Sequence, residues 1–259
     1  MVNILLNFMK IITVATHSQA YFPVLEESAR LNNIELIVLG WGEKWGGFGW
    51  KLKLLKNYFQ TQPHNEIIIV VDGFDTFIIS NLDEIIQKFK EINKPMICAA
   101  ERKHRSYIWN IVYERIFNKR NSYPQTTTVY NYLNAGAWIT SSGYILDLLK
   151  DIPLHNKTND QALFTYLYIK GKIAIDYECK IFTCIRNESD LLYVNGRYKN
   201  IFTKEYPCII HAPADVSMKN LIHYMGYTSV KYHFYQRVWK YLYSILGFWG
   251  NERFKQEKP

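Results

Sequence analysis

Apolar residues along the chain fall into short unbroken runs separated by amphipathic stretches. Lys10–Ala15 (KIITVA) is β-branched and reads as a buried strand. Phe22–Asn32 spaces its apolar positions as a helix does, and Ile34–Leu39 returns to strand character. The glycine-rich segment Gly40–Trp50 (GWGEKWGGFGW) reads as a loop, and Lys51–Phe59 alternates basic and apolar residues at helical spacing. Glu66–Val71 (EIIIVV) is the clearest strand, because an uninterrupted apolar run predicts burial on both faces, as in a parallel sheet. Ser80 with Asp83 resembles a capping box that opens a helix through Phe89, and Met96–Ala99 is another short strand.

The second half is less regular. Strands are predicted at Gly136–Thr140 and Ile173–Ile175, and helices at Ser142–Leu149 and Asp160–Ile169. Thr158 with Gln161 matches a capping box for the last of these. A further apolar strand ends at His211. Strands alternating with helices predict an α/β layered fold with a mostly parallel, Rossmann-like sheet flanked by helices. Neither a repeat nor a linker divides the chain, so residues 1–227 read as one domain. Residues 228–259 then form an aromatic and basic tail, with Val230–Gly250 (VKYHFYQRVWKYLYSILGFWG) as a helix packed on the domain. An interfacial helix or a contact between two protomers is the other reading of that tail.

Composition narrows the classes. Of the 259 residues, 48% are hydrophobic and 21% charged, which excludes a disordered, collagenous or coiled-coil chain. No apolar run approaches the about 18 residues of a spanning helix. The net charge of +8 attracts phosphates of any kind without choosing among nucleotides, nucleic acid and lipid headgroups. Cys98, Cys179, Cys184 and Cys208 form no CxxC pair, and buried reduced thiols fit a reducing compartment. The N-terminal apolar stretch is short for a secretory signal, so a cytoplasmic location is expected.

Four segments carry candidate chemistry. In IIIVVDGFDTFI a buried strand runs into Asp72 and Asp75, and ligands of open α/β sheets sit beyond the carboxyl ends of strands. If the chain turns at Gly73, both carboxylates can face one point and hold a hard divalent cation that bridges to phosphates; a solvated turn is the other reading. His211 ends its own strand, and neutral imidazole suits Mn²⁺ or Zn²⁺ better than Mg²⁺. Lys219, eight residues on, could meet a phosphate as a point charge. In YNYLNAGAWI, Asn134 precedes Ala135–Gly136, small residues that would let a ligand approach the backbone while the amide reads hydroxyls. In TNDQALF, Asp160 suits the first turn of a helix and can also be a catalytic carboxylate.

Taken in order, KIITVATH, LGWGEKWGG with the basic WKLKLLK helix behind it, IIIVVDGFDTFI, ICAAE, NYLNAGAWI, NDQALF, IDYECKIF and IIHAPADVSMKNLIHYMG resemble a known family. It is the glycosyltransferase domain of the procollagen-lysine hydroxylases and the related collagen glucosyl- and galactosyltransferases, and the resemblance runs from about Lys10 to about Tyr227. The hydroxylase part and its His-x-Asp iron-binding pattern are not present. The resemblance implies a GT-A fold, UDP-glucose or UDP-galactose as donor, and Mn²⁺, with Mg²⁺ as the alternative. By position, Asp72 and Asp75 match the family's metal motif and His211 its third metal ligand. Thr16 and Trp45 fall where the family holds uridine and ribose. Lys51 and Lys219 fall where it reaches the diphosphate or donor sugar, and Asn134 and Asp160 line the sugar and acceptor pocket. Phe74 stands in place of the family's Tyr and keeps a stacking ring. Only Asn159–Asp160 remains of an aspartate run, and His211–Ala212–Pro213–Ala214 replaces His-Gly-Asn-Gly. A Lys-, Ile- and Asn-rich composition suggests an AT-rich genome, and a viral member of the family is expected.

The function expected from these features is metal-dependent transfer of glucose or galactose to a hydroxyl, with hydroxylysine or galactosyl-hydroxylysine of a collagen-like chain as acceptor. One alternative is a GT-A enzyme acting on a glycan. Another is a non-catalytic nucleotide-sugar- or nucleic-acid-binding module, although a nucleic-acid partner is not expected.

Overall fold

The computed structural model describes residues 9–102, 123–213 and 216–227. The tail from residue 228 lies outside them. In chain order the elements are β1 (Met9–Val14), α1 (Phe22–Leu31), β2 (Leu36–Leu39), α2 (Phe48–Gln60), β3 (Ile67–Val71), β4 (Thr76–Ile78), α3 (Leu82–Ile92), β5 (Met96–Glu101) and β6 (Tyr132–Ser141). There follow α4 (Ser142–Leu148), α5 (Asp160–Ile169), β7 (Ala174–Asp176), β8 (Phe182–Cys184), β9 (Leu191–Val194), β10 (Arg197–Asn200), β11 (Ile209–His211) and α6 (Lys219–Tyr224).

Six strands form the main sheet in the order β2-β1-β3-β6-β5-β7. β2, β1 and β3 run parallel, β6 is inserted antiparallel to β3 and β5, and β7 is parallel to β5. The expected α/β fold with a mostly parallel sheet is the fold observed. The period of two along β3 explains why both faces are apolar. Ile68 and Val70 point into one core with Leu52, Leu55 and Phe59 of α2 and Phe164 and Leu167 of α5. Ile69 and Val71 point into the other, with Leu25 of α1, Ile85 of α3 and Phe182 of β8. Each fully buried Ile or Phe contributes about 1.5–3 kcal/mol. Trp138 sits edge-on between Phe59 at 5.9 Å and Phe164 at 5.7 Å, which ties β6 to both helices of its face.

A second, three-stranded sheet has the order β4-β11-β8, with β11 antiparallel to β4 and parallel to β8. It leaves the end of β3 and carries His211 back to it. β9 and β10 form a hairpin across Asn195–Gly196, whose φ values of 51° and 80° are those a two-residue turn requires. All four cysteines are buried and none is in a disulfide. No described helix is long and apolar enough to cross a membrane.

Local corrections have physical causes. α2 begins at Phe48, inside the segment read as loop, because Gly47 at φ 94° turns the chain and the aromatic residues behind it pack. The cap of α3 is Asn81, whose side chain accepts from Glu84 N at 3.0 Å; the hydroxyl of Ser80 donates to the Glu84 carboxylate instead. The cap of α5 is Asn159, accepting from Ala162 N at 2.9 Å, while Thr158 Oγ1 accepts from His155 N at 2.9 Å. In both cases the polar residue directly before the helix reaches the orphan N–H groups first.

β6 also departs from a plain strand. Its β5 partners step from Trp138 opposite Cys98 to Asn134 opposite Ala99, so Ala135, Gly136 and Ala137 have no β5 counterparts. This bulge bends the strand where it passes the end of β3. The Gln161 carboxamide fills the gap. Its Oε1 accepts from Ala135 N at 2.9 Å and its Nε2 donates to Leu133 O at 2.7 Å.

Candidate active site

The carboxyl ends of β1, β2 and β3 and the bulge of β6 meet along one edge of the sheet, where ligands of open α/β folds bind. Asp72 follows β3 directly, and its backbone N–H donates to Gly136 O at 2.7 Å. Gly73 makes the turn. A Cβ there would lie 2.8 Å from Thr13 Oγ1, so only glycine lets the chain pass so close to β1. Asp75 then stands just before β4. The β4–β11 ladder pairs His211 with Thr76, and Ala212 N donates to Asp75 O at 2.8 Å, which fixes the imidazole beside the second acid.

Asp72, Asp75 and His211 therefore converge, with one ligand atom of each within 4.8 Å of the others. His211 Nε2 lies 3.3 Å from Asp75 Oδ1 and 3.9 Å from Asp72 Oδ2. The imidazole is buried, yet Nε2 has no hydrogen-bond partner among the described residues. Buried polar atoms are rarely left so.

Lys51 projects from α2 into the same point. The residue is 4% exposed, and its ammonium contacts Asp72 Oδ1 at 2.6 Å and Asp160 Oδ2 at 3.2 Å. Burial opposes its charge, but attraction to Asp72 and then Asp160 raises its pKa all the same. Burial raises the Asp72 carboxyl above its ordinary value, Lys51 opposes this, and repulsion from Asp75 adds to it. His211 is also raised, because its attraction to Asp75 and Asp72 outweighs burial. Three carboxylates against one ammonium leave negative charge in excess. Two carboxylates and a buried imidazole whose Nε2 faces them are a donor set that fits Mn²⁺ or Zn²⁺.

Asn134 and Asp160 complete the cluster. Asn134 Oδ1 accepts from Gly136 N at 2.8 Å, so its oxygen is committed and its Nδ2 group, which makes no hydrogen bond among the described residues, remains for a ligand. Asp160 opens α5, with Oδ1 accepting from its neighbour Gln161 N at 2.8 Å and Oδ2 on Lys51. The small residues after Asn134 serve a close approach of a different kind from the one expected. A Cβ at Gly136 would lie 2.3 Å from His211 Cε1 and 2.6 Å from Asp72 Oδ2, so the space is needed by the protein's own His211 and Asp72 side chains.

Among the described residues no side-chain hydrogen bond or ion pair ties the remaining candidates to this cluster. Thr16 follows β1, and its hydroxyl lies 2.9 Å from His17 Nδ1. Phe74 is half-buried in a shelf with His17 at 6.0 Å and Phe22 at 6.3 Å. Trp45 is 37% exposed and packs edge-on against Phe48 and Trp50. Lys219 is exposed at the start of α6 and forms no ion pair among the described residues. Trp41 was not singled out in the sequence; it is 53% exposed and lies 5.1 Å from Phe22 on the same shelf. Its signal was a second tryptophan in the loop after β2, on the edge where β1 and β3 also end.

The position of the Lys51–Asp160 ion pair depends on a helix–loop crossing. A Cβ on Gly49 would stand 1.6 Å from His155 O, and Gly49 N donates to Asn156 O at 3.3 Å. Gly49→Ala is expected to push the 155–156 loop off α2, separate Lys51 from Asp160 and cost about 1–3 kcal/mol. Thermal unfolding and turnover measured together check this, and a variant with unchanged turnover would show that the crossing does not position the site.

A bulged antiparallel strand in a mostly parallel sheet, with an Asp-x-x-Asp turn at the carboxyl end of the central strand and a returning histidine, defines a GT-A-type domain. The sequence places it further. Residues 6–236 match the family model described as the PLOD GT domain, and the chain belongs to that family, the glycosyltransferase domain of procollagen-lysine hydroxylases. It is similar to mouse procollagen-lysine,2-oxoglutarate 5-dioxygenase 2, 29% identical over 237 residues, covering 83% of this chain and 31% of that protein. An uncharacterized protein of Acanthamoeba polyphaga mimivirus is 27% identical over 230 residues, covering 83% of this chain and 48% of its own length. The rat multifunctional procollagen lysine hydroxylase and glycosyltransferase LH3 is 23% identical over 237 residues, covering 83% and 30%. The chain spans about a third of the length of the procollagen-lysine hydroxylases that it matches.

Proposed function

We propose that this domain transfers glucose or galactose from a UDP-sugar to a hydroxyl acceptor in a metal-dependent reaction, with hydroxylysine or galactosyl-hydroxylysine of a collagen-like chain as the acceptor class. The observation that carries this reading is the convergence of Asp72, Asp75 and His211 beside the Lys51–Asp160 pair. Family membership and the relatives' action on procollagen lysine, as their names state it, support the acceptor class.

Asp72, Asp75 and His211 would hold Mn²⁺, which supplies positive charge for the diphosphate and its departure as leaving group. Lys51 keeps Asp72 and Asp160 oriented by sharing one ammonium between them. Asn134 has only its amide N–H groups to offer, so it donates to an oxygen of the donor sugar. Asp160 takes the acceptor hydroxyl's proton if the reaction inverts configuration, and faces the positive charge growing at the sugar's C1 if it retains it. Thr16, Trp45 and Phe74 hold the nucleoside, Phe74 from the aromatic shelf and Trp45 from the loop before α2, and Lys219 adds a point charge toward the diphosphate.

The test is UDP release from UDP-glucose and UDP-galactose, with and without Mn²⁺, in the presence of hydroxylysine peptides or glycans. Release that requires Mn²⁺ and stops with a chelator is expected. A chain that releases no UDP in any combination, but binds nucleic acid with a steep salt dependence, would overturn the proposal.

A further inference from the structure

His211 has a second nitrogen, and the fold gives it one specific neighbour. β11 pairs parallel with β8 so that His211 stands opposite Cys184, and Ile185 N closes the ladder onto His211 O at 2.9 Å. Cys184 Sγ lies 3.6 Å from His211 Nδ1, and both residues are at most 1% exposed. Nδ1 makes no other hydrogen bond among the described residues. Resting on the metal-dependent reading above, we propose that Cys184 is a positioning residue for the metal centre, the outer partner that holds the His211 ring in whichever tautomer the site requires.

The argument is one of proton placement. A neutral imidazole carries one ring proton, and Nε2 can ligate a cation only when that proton is on Nδ1. Without a cation, Nε2 faces Asp75 Oδ1 at 3.3 Å, which favours the proton on Nε2 and leaves Nδ1 as an acceptor. A ligating histidine usually donates its other N–H to a carboxylate, carbonyl or water, each of which demands a proton on that nitrogen. A thiol does not. Its S–H donates to bare Nδ1 in the first state, and its sulfur accepts from Nδ1–H in the second. The ring holds one proton before and after, on Nε2 in the first state and on Nδ1 in the second, and the thiol holds one throughout, its S–H turned toward Nδ1 and then away from it. Both side chains are buried and in contact, so Cys184 is the group placed to satisfy Nδ1 in both states.

The experiment is a Mn²⁺ titration of the full chain by electron paramagnetic resonance, comparing wild type with Cys184→Ala, Cys184→Val and Cys184→Ser. Ala and Val should weaken Mn²⁺ binding by about tenfold or more, because a buried Nδ1–H is left without an acceptor. Ser, which both donates and accepts, should restore most of the loss. At saturating Mn²⁺ the UDP release of all three should return close to wild type, since the effect acts through metal affinity. Ala leaves a small cavity and Val adds about one methyl group, so a loss shared by both and restored by Ser is not a packing effect. Nitrogen-15 spectra of the Zn²⁺-loaded protein should place the His211 proton on Nδ1, with a shifted N–H resonance in Cys184→Val. Unchanged Mn²⁺ affinity in Cys184→Val, or a Ser variant as weak as Ala, would overturn the inference alone. Failure of the wild type to bind Mn²⁺ would overturn the metal centre and this inference with it.

Discussion

Asp75→Ala is expected to cut UDP release by roughly 10²–10³-fold while leaving the fold in place. The two parts of Asp75 have separate work. Its backbone carbonyl accepts from Ala212 N and closes the junction of β4 and β11, and an alanine keeps that bond. Its carboxylate faces His211 Nε2 and Asp72, where it would help to balance the charge of the proposed cation. Removing it leaves a site with one fewer negative ligand, so Mn²⁺ affinity should fall in parallel with turnover, and excess Mn²⁺ should recover part of the rate. Asp75→Asn separates charge from shape, because the amide fills the same space without the charge and should lie close to Ala in activity. Far-ultraviolet circular dichroism and a Mn²⁺ titration alongside the rate assay decide the matter. Wild-type turnover in Asp75→Ala would remove the carboxylate from the mechanism.

How much of this was readable in the chain follows from what each element asks of its sequence. β1, β3 and β5 are buried on two faces and write themselves as apolar runs, and the helices of both layers show their amphipathic spacing. β4 and β8 are three residues each, too short for any period to register. The hairpin β9–β10 is marked only by an Asn-Gly turn between two short runs. The bulge in β6 leaves no local mark, because Ala135, Gly136 and Ala137 continue an apolar pattern while losing partners on one side.

The site divides in the same way. Asp72 and Asp75 were readable because a strand end is where an open sheet exposes its chemistry, and His211 because it too ends a strand. The position of Lys51 was not, since a lysine in a basic amphipathic helix reads as a solvated face. Its ammonium instead lies buried between Asp72 and Asp160, a pairing that only the crossing of α2 with the 155–156 loop creates. Gln161 read as half of a capping box, yet its carboxamide stands in for a missing strand partner on the bulge. Such roles depend on residues distant in sequence, and no window along the chain contains both partners.

Gly136→Ala is the second substitution with a large expected effect, and its cause is purely steric. The added methyl would lie 2.3 Å from His211 Cε1, 2.6 Å from Asp72 Oδ2 and 3.0 Å from Asn134 Oδ1, the first two closer than any carbon tolerates. None of these is the loose end of a long exposed chain. His211 is wedged against Cys184, the Asp72 carboxylate is held by Lys51, and Asn134 is bonded to Gly136 itself. The methyl must therefore displace His211 or Asp72, or lift the bulge off β3, where Gly136 O accepts from Asp72 N. Overpacking of this kind costs about 1–3 kcal/mol of stability. The functional loss should be greater, since opening a site by an ångström costs roughly a hundredfold in rate. Mn²⁺ affinity, melting temperature and UDP release should all fall, with release falling furthest. If Gly136→Ala bound Mn²⁺ and turned over as the parent does, the three ligands would have to sit apart in solution, and the cluster could not be the centre of the reaction.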